Sequence, residues 1–210
     1  VRAGRWRVER HAGPARALVA LGAPEPAAPV VRLCEATGPA LVLGSAAPEP
    51  AGPTEGLDVV RRPSGGGAVL VEPGAQVWAD VWVPVGDPRW HPDVSRSFHW
   101  LGELWCAALA RCGVAADWHR GPATGGALAR VACFAGLGPG EVTVAGRKVV
   151  GLSQRRTRAW SLLQCVALLR WDPARLGRAL AIDAAGLAAG AVPVAAADLE
   201  AALLTEIARR

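Results

Sequence analysis

Three features of the chain combine residue types and spacing in a way that suits chemistry. The first is the run Arg61-Arg62-Pro63-Ser64-Gly65-Gly66-Gly67-Ala68. Three consecutive glycines strip the backbone of side chains, so a ligand can reach the amide groups directly, and two arginines stand just before them. This is the outline of an anion- or acyl-binding loop, with a flexible hairpin linker as the alternative. It matches neither the phosphate-binding GxxxxGK[ST] pattern nor a dinucleotide fingerprint. The second feature is Cys133, which opens a glycine-rich stretch, and the third is Lys148, fifteen positions further on. Of the 23 lysine and arginine positions only residue 148 is lysine. Arginine is always charged, whereas a buried ammonium can give up its proton, so a site needing a switchable amine would keep its lysine. An ammonium brought beside a thiol favours the thiolate that acyl transfer uses. The alternative for Cys133 is a small buried hydrophobe.

The elements that must position these groups are legible in outline. Alternation predicts strands at residues 5–9, 30–35, 40–44, 58–62, 68–72, 77–83 and 161–169. In the 77–83 strand, Val77, Ala79, Val81 and Val83 share one face and Trp78, Asp80 and Trp82 the other. Residues 141–144 and 147–150 form a hairpin across Ala145-Gly146, which carries Lys148. Helices are predicted at 15–21, after Pro14, and at 93–112, where Phe98, Leu101, Trp105, Ala108 and Cys112 recur at three- and four-residue steps. Asp172-Pro173 is a cap with proline in the first turn, and residues 198–209 close the chain as a helix. Strands in runs with interspersed helices predict an α/β (α+β) fold, a mixed and largely antiparallel sheet backed by helices. No boundary divides residues 1–210, which read as a single domain.

Composition narrows the classes. With 51% hydrophobic and 20% charged residues the chain is neither disordered nor membrane-spanning, and residues 1–10 carry charges where a signal peptide is apolar. It reads as cytoplasmic. The net charge of +5 comes from scattered arginines without a recognition helix, so an acidic protein or anionic ligand suits it better than nucleic acid. Five cysteines without a CxxC pair read as free thiols, and no ligand spacing suggests a metal. The nine tryptophans read mostly as packing, although Trp78, Trp82 and Trp90 have the character to line an acyl tunnel.

RRPSGGGAVL and GRKVVGLSQRR, in that order, resemble the two signature segments of the biotin/lipoate protein ligase superfamily, and specifically its lipoate-attachment branch. VVRLCEATGPALVLGS and SLLQCVALL are similar to the strands before and after them, so the resemblance spans roughly residues 30 to 170. It implies a catalytic domain that binds a medium-chain acyl group, octanoate or lipoate, in a tunnel and delivers it to one lysine of an acidic lipoyl carrier domain. Arg61, Arg62, Ser64, Gly65, Gly66, Gly67, Ala68, Gly151 and Ser153 would then form the acyl or adenylate site. Lys148 would contact the acyl carbonyl, and Arg155, Arg156 and Arg158 would face the carrier. Cys133-Phe134 stands where octanoyltransferases of the superfamily carry a cysteine, which implies a thioester at Cys133, octanoyl acyl carrier protein as donor and no cofactor. An ATP- and Mg-dependent lipoate–protein ligase working through lipoyl-AMP is the alternative, and a non-catalytic acyl- or carrier-binding homologue a second. Val71 and Cys165 stand where relatives usually show histidines, and the accessory C-terminal domain of many ligases is not expected.

Overall fold

The computed structural model describes residues 6–24 and 28–210. Its centre is a seven-stranded sheet in the order β1-β2-β6-β10-β9-β8-β7, made of β1 (Arg7–Gly13), β2 (Val30–Ala36), β6 (Gln76–Pro84), β7 (Asp117–Trp118), β8 (Val142–Val144), β9 (Arg147–Arg156) and β10 (Trp160–Leu168). Within this sheet, among the described residues, only the β1–β2 pair is parallel. The strands β3 (Ala40–Leu43), β4 (Asp58–Arg61) and β5 (Val69–Val71) form a separate three-stranded sheet in the order β4-β3-β5.

The alternation of β6 decides what packs on each side. Val77, Ala79, Val81 and Val83 join Leu101, Leu104, Trp105, Ala108 and Leu109 of helix α2 (His99–Arg111) and Leu199, Leu203 and Ile207 of the C-terminal helix α5 (Ala196–Ala208). Trp78 turns to the opposite face, where it meets Val42, Val69 and Val71 of the small sheet and Ala15 and Leu18 of α1 (Ala15–Ala20). The remaining helices are α3 (Gly126–Val131), followed by a short turn at Cys133–Ala135, and α4 (Pro173–Leu180). Asp172 caps α4 by accepting the Arg175 N–H at 2.9 Å, with Pro173 in the first turn.

The mixed sheet backed by helices agrees with expectation, and several details differ. Residue 5, where the first predicted strand begins, lies outside the described residues, and the strand runs on to Gly13. The long helix starts at His99, not residue 93, because Asp93 spends its carboxylate on the backbone N–H groups of Ser95 and Arg96 to hold a preceding turn. The strands at 40–43, 58–61 and 69–71 leave the main sheet, which creates an internal seam between two sheets. A slot opens along that seam.

Candidate active site

Between the sheets lies a slot lined by Val42, Arg62, Val69, Val71, Trp78, Cys133, Phe134, Gly151, Leu152, Ser153, Gln164 and Val166. Its cavity volume is about 30 Å³, or about 400 Å³ with the open space at its mouth. The slot is a narrow, largely apolar crevice. Its floor follows the strand register. One row across β6, β10 and β9 is Trp78, Val166 and Gly151, and the next, two residues away, is Asp80, Gln164 and Ser153. The step between such rows is about 7 Å.

Cys133 lines this slot half-buried, and Lys148 stands behind it. Two local features bring them together. Ala145 and Gly146 both take positive φ, 48° and 75°, which makes a tight two-residue hairpin loop between β8 and β9. Then the β8–β9 pairing slips, with Val142 opposite Val150 but Thr143 opposite Lys148, and this bulge at Val149 re-aims the lysine. Nζ of Lys148 donates to the carbonyls of Cys133 at 2.7 Å and Gly136 at 3.1 Å, and it pairs with Glu141 Oε2 at 2.6 Å. Three oxygens take the three ammonium hydrogens, and Cys133 Sγ lies 3.8 Å away as a fourth neighbour. Glu141 is fixed in turn by the N–H groups of Gly138 at 2.7 Å and Leu152 at 3.0 Å.

Burial works against the charge on Lys148, but negative charge on the Cys133 sulfur and on the Glu141 carboxylate outweighs it and holds the pKa above the ordinary lysine value. The raised pKa and the three oxygens around Nζ favour the charged ammonium over the switchable amine that the sequence suggested. Lysine is needed for its compact shape, because three acceptors converge on a point that a planar guanidinium fork cannot match.

The second polar group is a row of side chains across the sheet. Asp80 accepts from Trp78 Nε1 at 2.8 Å and from Gln164 Nε2 at 3.1 and 3.2 Å. That contact fixes the Gln164 amide, so its Oε1 accepts from Ser64 Oγ at 2.6 Å. With its one proton committed, Ser64 accepts from Arg62 Nε at 3.1 Å and from the Ser153 hydroxyl at 2.8 Å. Burial raises the Asp80 pKa, only partly opposed by its hydrogen bonds to Trp78 and Gln164 and by Arg32 and Arg62.

The glycine run does not line the slot but shapes it from behind. Arg62 binds the carbonyls of Gly65 at 2.7 Å and Gly67 at 3.0 Å, and of Val42 at 3.0 Å, and thereby fixes the loop. Gly66 has φ of 91°. A Cβ on Gly67 would lie 2.7 Å from backbone atoms of Ala132 and Cys133. Ala68 then bridges to the cysteine segment, its N–H donating to Val131 O at 2.7 Å and its carbonyl accepting the Cys133 N–H at 3.0 Å. Ser64, Gly65, Gly66, Gly67 and Ala68 thus hold Cys133 in place.

Other predicted site residues separate. Arg61 turns away from the slot, donating to the carbonyls of Gly44 and Ala47 and pairing with Glu49, because consecutive strand residues face opposite sides. Gly151 and Ser153 line the slot, and Arg155 follows them, exposed, on the same face. Arg156 faces the other side, bound to Pro92 O at 2.8 Å and to His91 O, with its guanidinium 5.3 Å from the Trp90 ring centroid. Arg158 is exposed in the following turn. Val71 lines the slot, whereas Cys165 faces the α2 side in full burial, so its place in the sequence bears on the core and not on the slot. Of the three tryptophans singled out, only Trp78 lines the slot. All five cysteines are free. Burial pushes the thiols of Cys34, Cys165 and Cys112 up, and that of Cys106 to about 11. Among the described residues no group of three His, Cys, Asp or Glu is placed to hold a metal ion.

Sequence reasoning missed Glu141 and Asp80. Each left a signal: Glu141 is the sole acidic residue from 133 to 156, and Asp80 is the sole charge in an otherwise apolar strand.

The two-sheet scaffold thus carries a largely apolar slot lined by Cys133 and Ser153, with Lys148 beside the cysteine. The family described as the lipoyl protein ligase A/B catalytic domain matches residues 16–204, and the chain belongs to it. The match extends past both ends of the segment whose motifs resembled the superfamily. The chain is 31% identical over 159 residues to octanoyltransferase LipM of Carboxydothermus hydrogenoformans, an alignment that spans 73% of this chain and 58% of that protein. It therefore spans less than two thirds of that relative. Among solved structures, lipoate-protein ligase A bound with ATP superposes with a TM-score of 0.72 at 16% identity, over 98% of this chain and 84% of that one. A bi-partite lipoate protein ligase described with its E2 lipoyl domain, from Thermoplasma acidophilum, gives 0.72 at 16% identity over 98% and 82%. These likenesses establish the fold. No helix among the described residues is long and apolar enough to cross a membrane.

Proposed function

We propose that the chain is a cysteine-dependent acyltransferase that moves an octanoyl group from a carrier thioester to one lysine of a lipoyl domain. The observation that carries this reading is that Cys133 Sγ lines the apolar slot with the Lys148 ammonium 3.8 Å behind it. A fixed positive charge at that distance stabilises negative charge on the sulfur, both when it attacks and when it leaves.

In the first step Sγ attacks the thioester carbonyl, the carrier's sulfur departs as a thiolate and takes up a proton, and the acyl group rests on Cys133. In the second, the neutral amine of the target lysine attacks that thioester, an amide forms, and the proton lost by the amine is released as Cys133 leaves. Lys148 moves no proton in either step; it anchors the Cys133–Gly136 turn and supplies charge. No nucleotide, metal or other cofactor is required by this chemistry. Basic Arg155 and Arg158 supply a surface for an acidic lipoyl domain, in keeping with the net charge of +5.

The test mixes the protein with octanoylated acyl carrier protein and an apo lipoyl domain in the absence of nucleotide. Acylation of the domain lysine is expected with the natural sequence and not with Cys133→Ala. Acylation that needs ATP, Mg and free lipoate or octanoate, and survives Cys133→Ala, would make the chain a ligase instead.

A further inference from the structure

Four groups surround Nζ of Lys148, and they differ in the charge they can keep. The carbonyls of Cys133 and Gly136 are neutral. The Cys133 sulfur, at 3.8 Å, can carry negative charge only while it is unacylated. Of the four, the Glu141 carboxylate at 2.6 Å alone stays charged at every stage of a thioester cycle. It is also firmly held: Oε2 accepts the Gly138 N–H at 2.7 Å, Oε1 accepts the Leu152 N–H at 3.0 Å, and the side chain is 6% exposed. The second cation near the sulfur is Arg62, whose Nη2 lies 3.0 Å from the Cβ position of Gly66, itself 4.0 Å from Cys133 Sγ. A guanidinium cannot give up its proton, but a buried ammonium can. Acylation therefore puts one charge at risk, that of Lys148.

We infer that Glu141 is a positioning residue, which holds Lys148 as a charged ammonium through the acyl-enzyme stage, when Cys133 no longer can. This rests on the proposed Cys133 thioester and adds what its second step requires. In that step the amine nitrogen bonds to the acyl carbon, the C–S bond breaks with its electron pair on Sγ, and the amine's proton passes to water. The sulfur regains negative charge as the bond breaks, and a countercharge helps only if it is already in place. Burial opposes the charge on Lys148 in the free protein, and sulfur and carboxylate together overcome it. With the sulfur acylated, Glu141 is left to oppose burial.

The chain has a single lysine, so isotope-labelled lysine gives one NMR signal that reports the charge of Lys148 directly. Cys133→Ser puts a neutral hydroxyl in place of the thiol and stands in for the acylated sulfur without any donor. In Cys133→Ser the signal should remain that of an ammonium until the pH nears the ordinary lysine value of about 10.4. With Glu141→Gln added, the proton should be lost at a pH lower by about 1–3. On the chain with Cys133 intact, Glu141→Gln should slow transfer from the preformed acyl-enzyme to a lipoyl domain by about 10²-fold where Lys148 is neutral, the scale of one lost preorganised donor, and slow acylation much less. Transfer by this variant should also decline as pH rises through the lowered value, a limb that the natural sequence lacks. Loss of the Lys148 proton near neutral pH in Cys133→Ser, with Glu141 intact, overturns the inference, and that measurement stands even should Glu141→Gln fail to fold. A signal unmoved by Glu141→Gln overturns it too. The expected lysine titrations without any adduct on Cys133 of the natural sequence would sink the transferase reading, while the hold of Glu141 on the ammonium is supported.

Discussion

Lys148 illustrates how much one residue does when its partners are counted. Its ammonium meets two carbonyls, a carboxylate and, at the edge, a thiol, all in a place where the side chain is 5% exposed. Removing it strands Glu141, whose side chain is 6% exposed, so Lys148→Met is expected to destabilise the protein by about 3–5 kcal/mol in urea titration, the usual effect of breaking a buried pair. Lys148→Arg keeps the charge but not the geometry, and transfer activity is expected to fall with it. The double variant Lys148→Met, Glu141→Gln separates the two roles: stability should recover by a large part of the loss, while acylation of Cys133 should not. Recovery of both would reduce Lys148 to a structural partner of Glu141.

At the scale of elements, the glycine run acts through the backbone it lets approach. Gly67→Ala places a methyl group 2.7 Å from the Ala132–Cys133 backbone. An overpacked core position costs about 1–3 kcal/mol, and here the strain falls on the turn that carries the cysteine. Thermal melting should show the loss, and acylation of Cys133 should slow by more than the melt alone explains. Ser64→Ala tests the neighbouring network; it leaves the Gln164 carbonyl without its donor and Arg62 without one acceptor, a cost of about 1–3 kcal/mol. The sequence made the presence of these parts legible, because three glycines, a lone lysine and a hairpin across Ala145-Gly146 are local signals. Which side each part faces was not legible. Arg61 and Arg62 read alike, yet one ties down the slot loop and the other leaves it, and the bulge at Val149 that turns Lys148 has no signature in residue type. The split of residues 40–71 into a second sheet was also hidden, since alternation shows that a strand has a buried face and not which sheet it joins.

For the whole molecule, two buried groups shape the response to pH in the same sense, one at the acidic and one at the basic end of the scale. Asp80 has a raised pKa in the folded state, so the native protein binds the proton more readily, and stability falls as pH rises from the ordinary value of 3.8 through the raised one. The urea midpoint of Asp80→Asn, compared with the natural sequence across that acidic window, should lack this decline. Lys148 is raised as well, so its contribution is complete below 10.5 and is lost only as pH climbs through the higher folded value. The net charge of +5 adds a salt dependence: the rate of transfer to an acidic lipoyl domain should drop as ionic strength rises, and Arg155→Glu should lower that rate without altering acylation of Cys133. All of this presumes that the acyl group comes to rest on one sulfur. Peptide mapping by mass spectrometry after brief exposure to octanoylated acyl carrier protein, with and without hydroxylamine, tests that most directly. One hydroxylamine-labile octanoyl group is expected on the Cys133 peptide and none in Cys133→Ala; an adduct on Cys34, Cys106, Cys112 or Cys165, or one that persists in Cys133→Ala, rules the Cys133 thioester out.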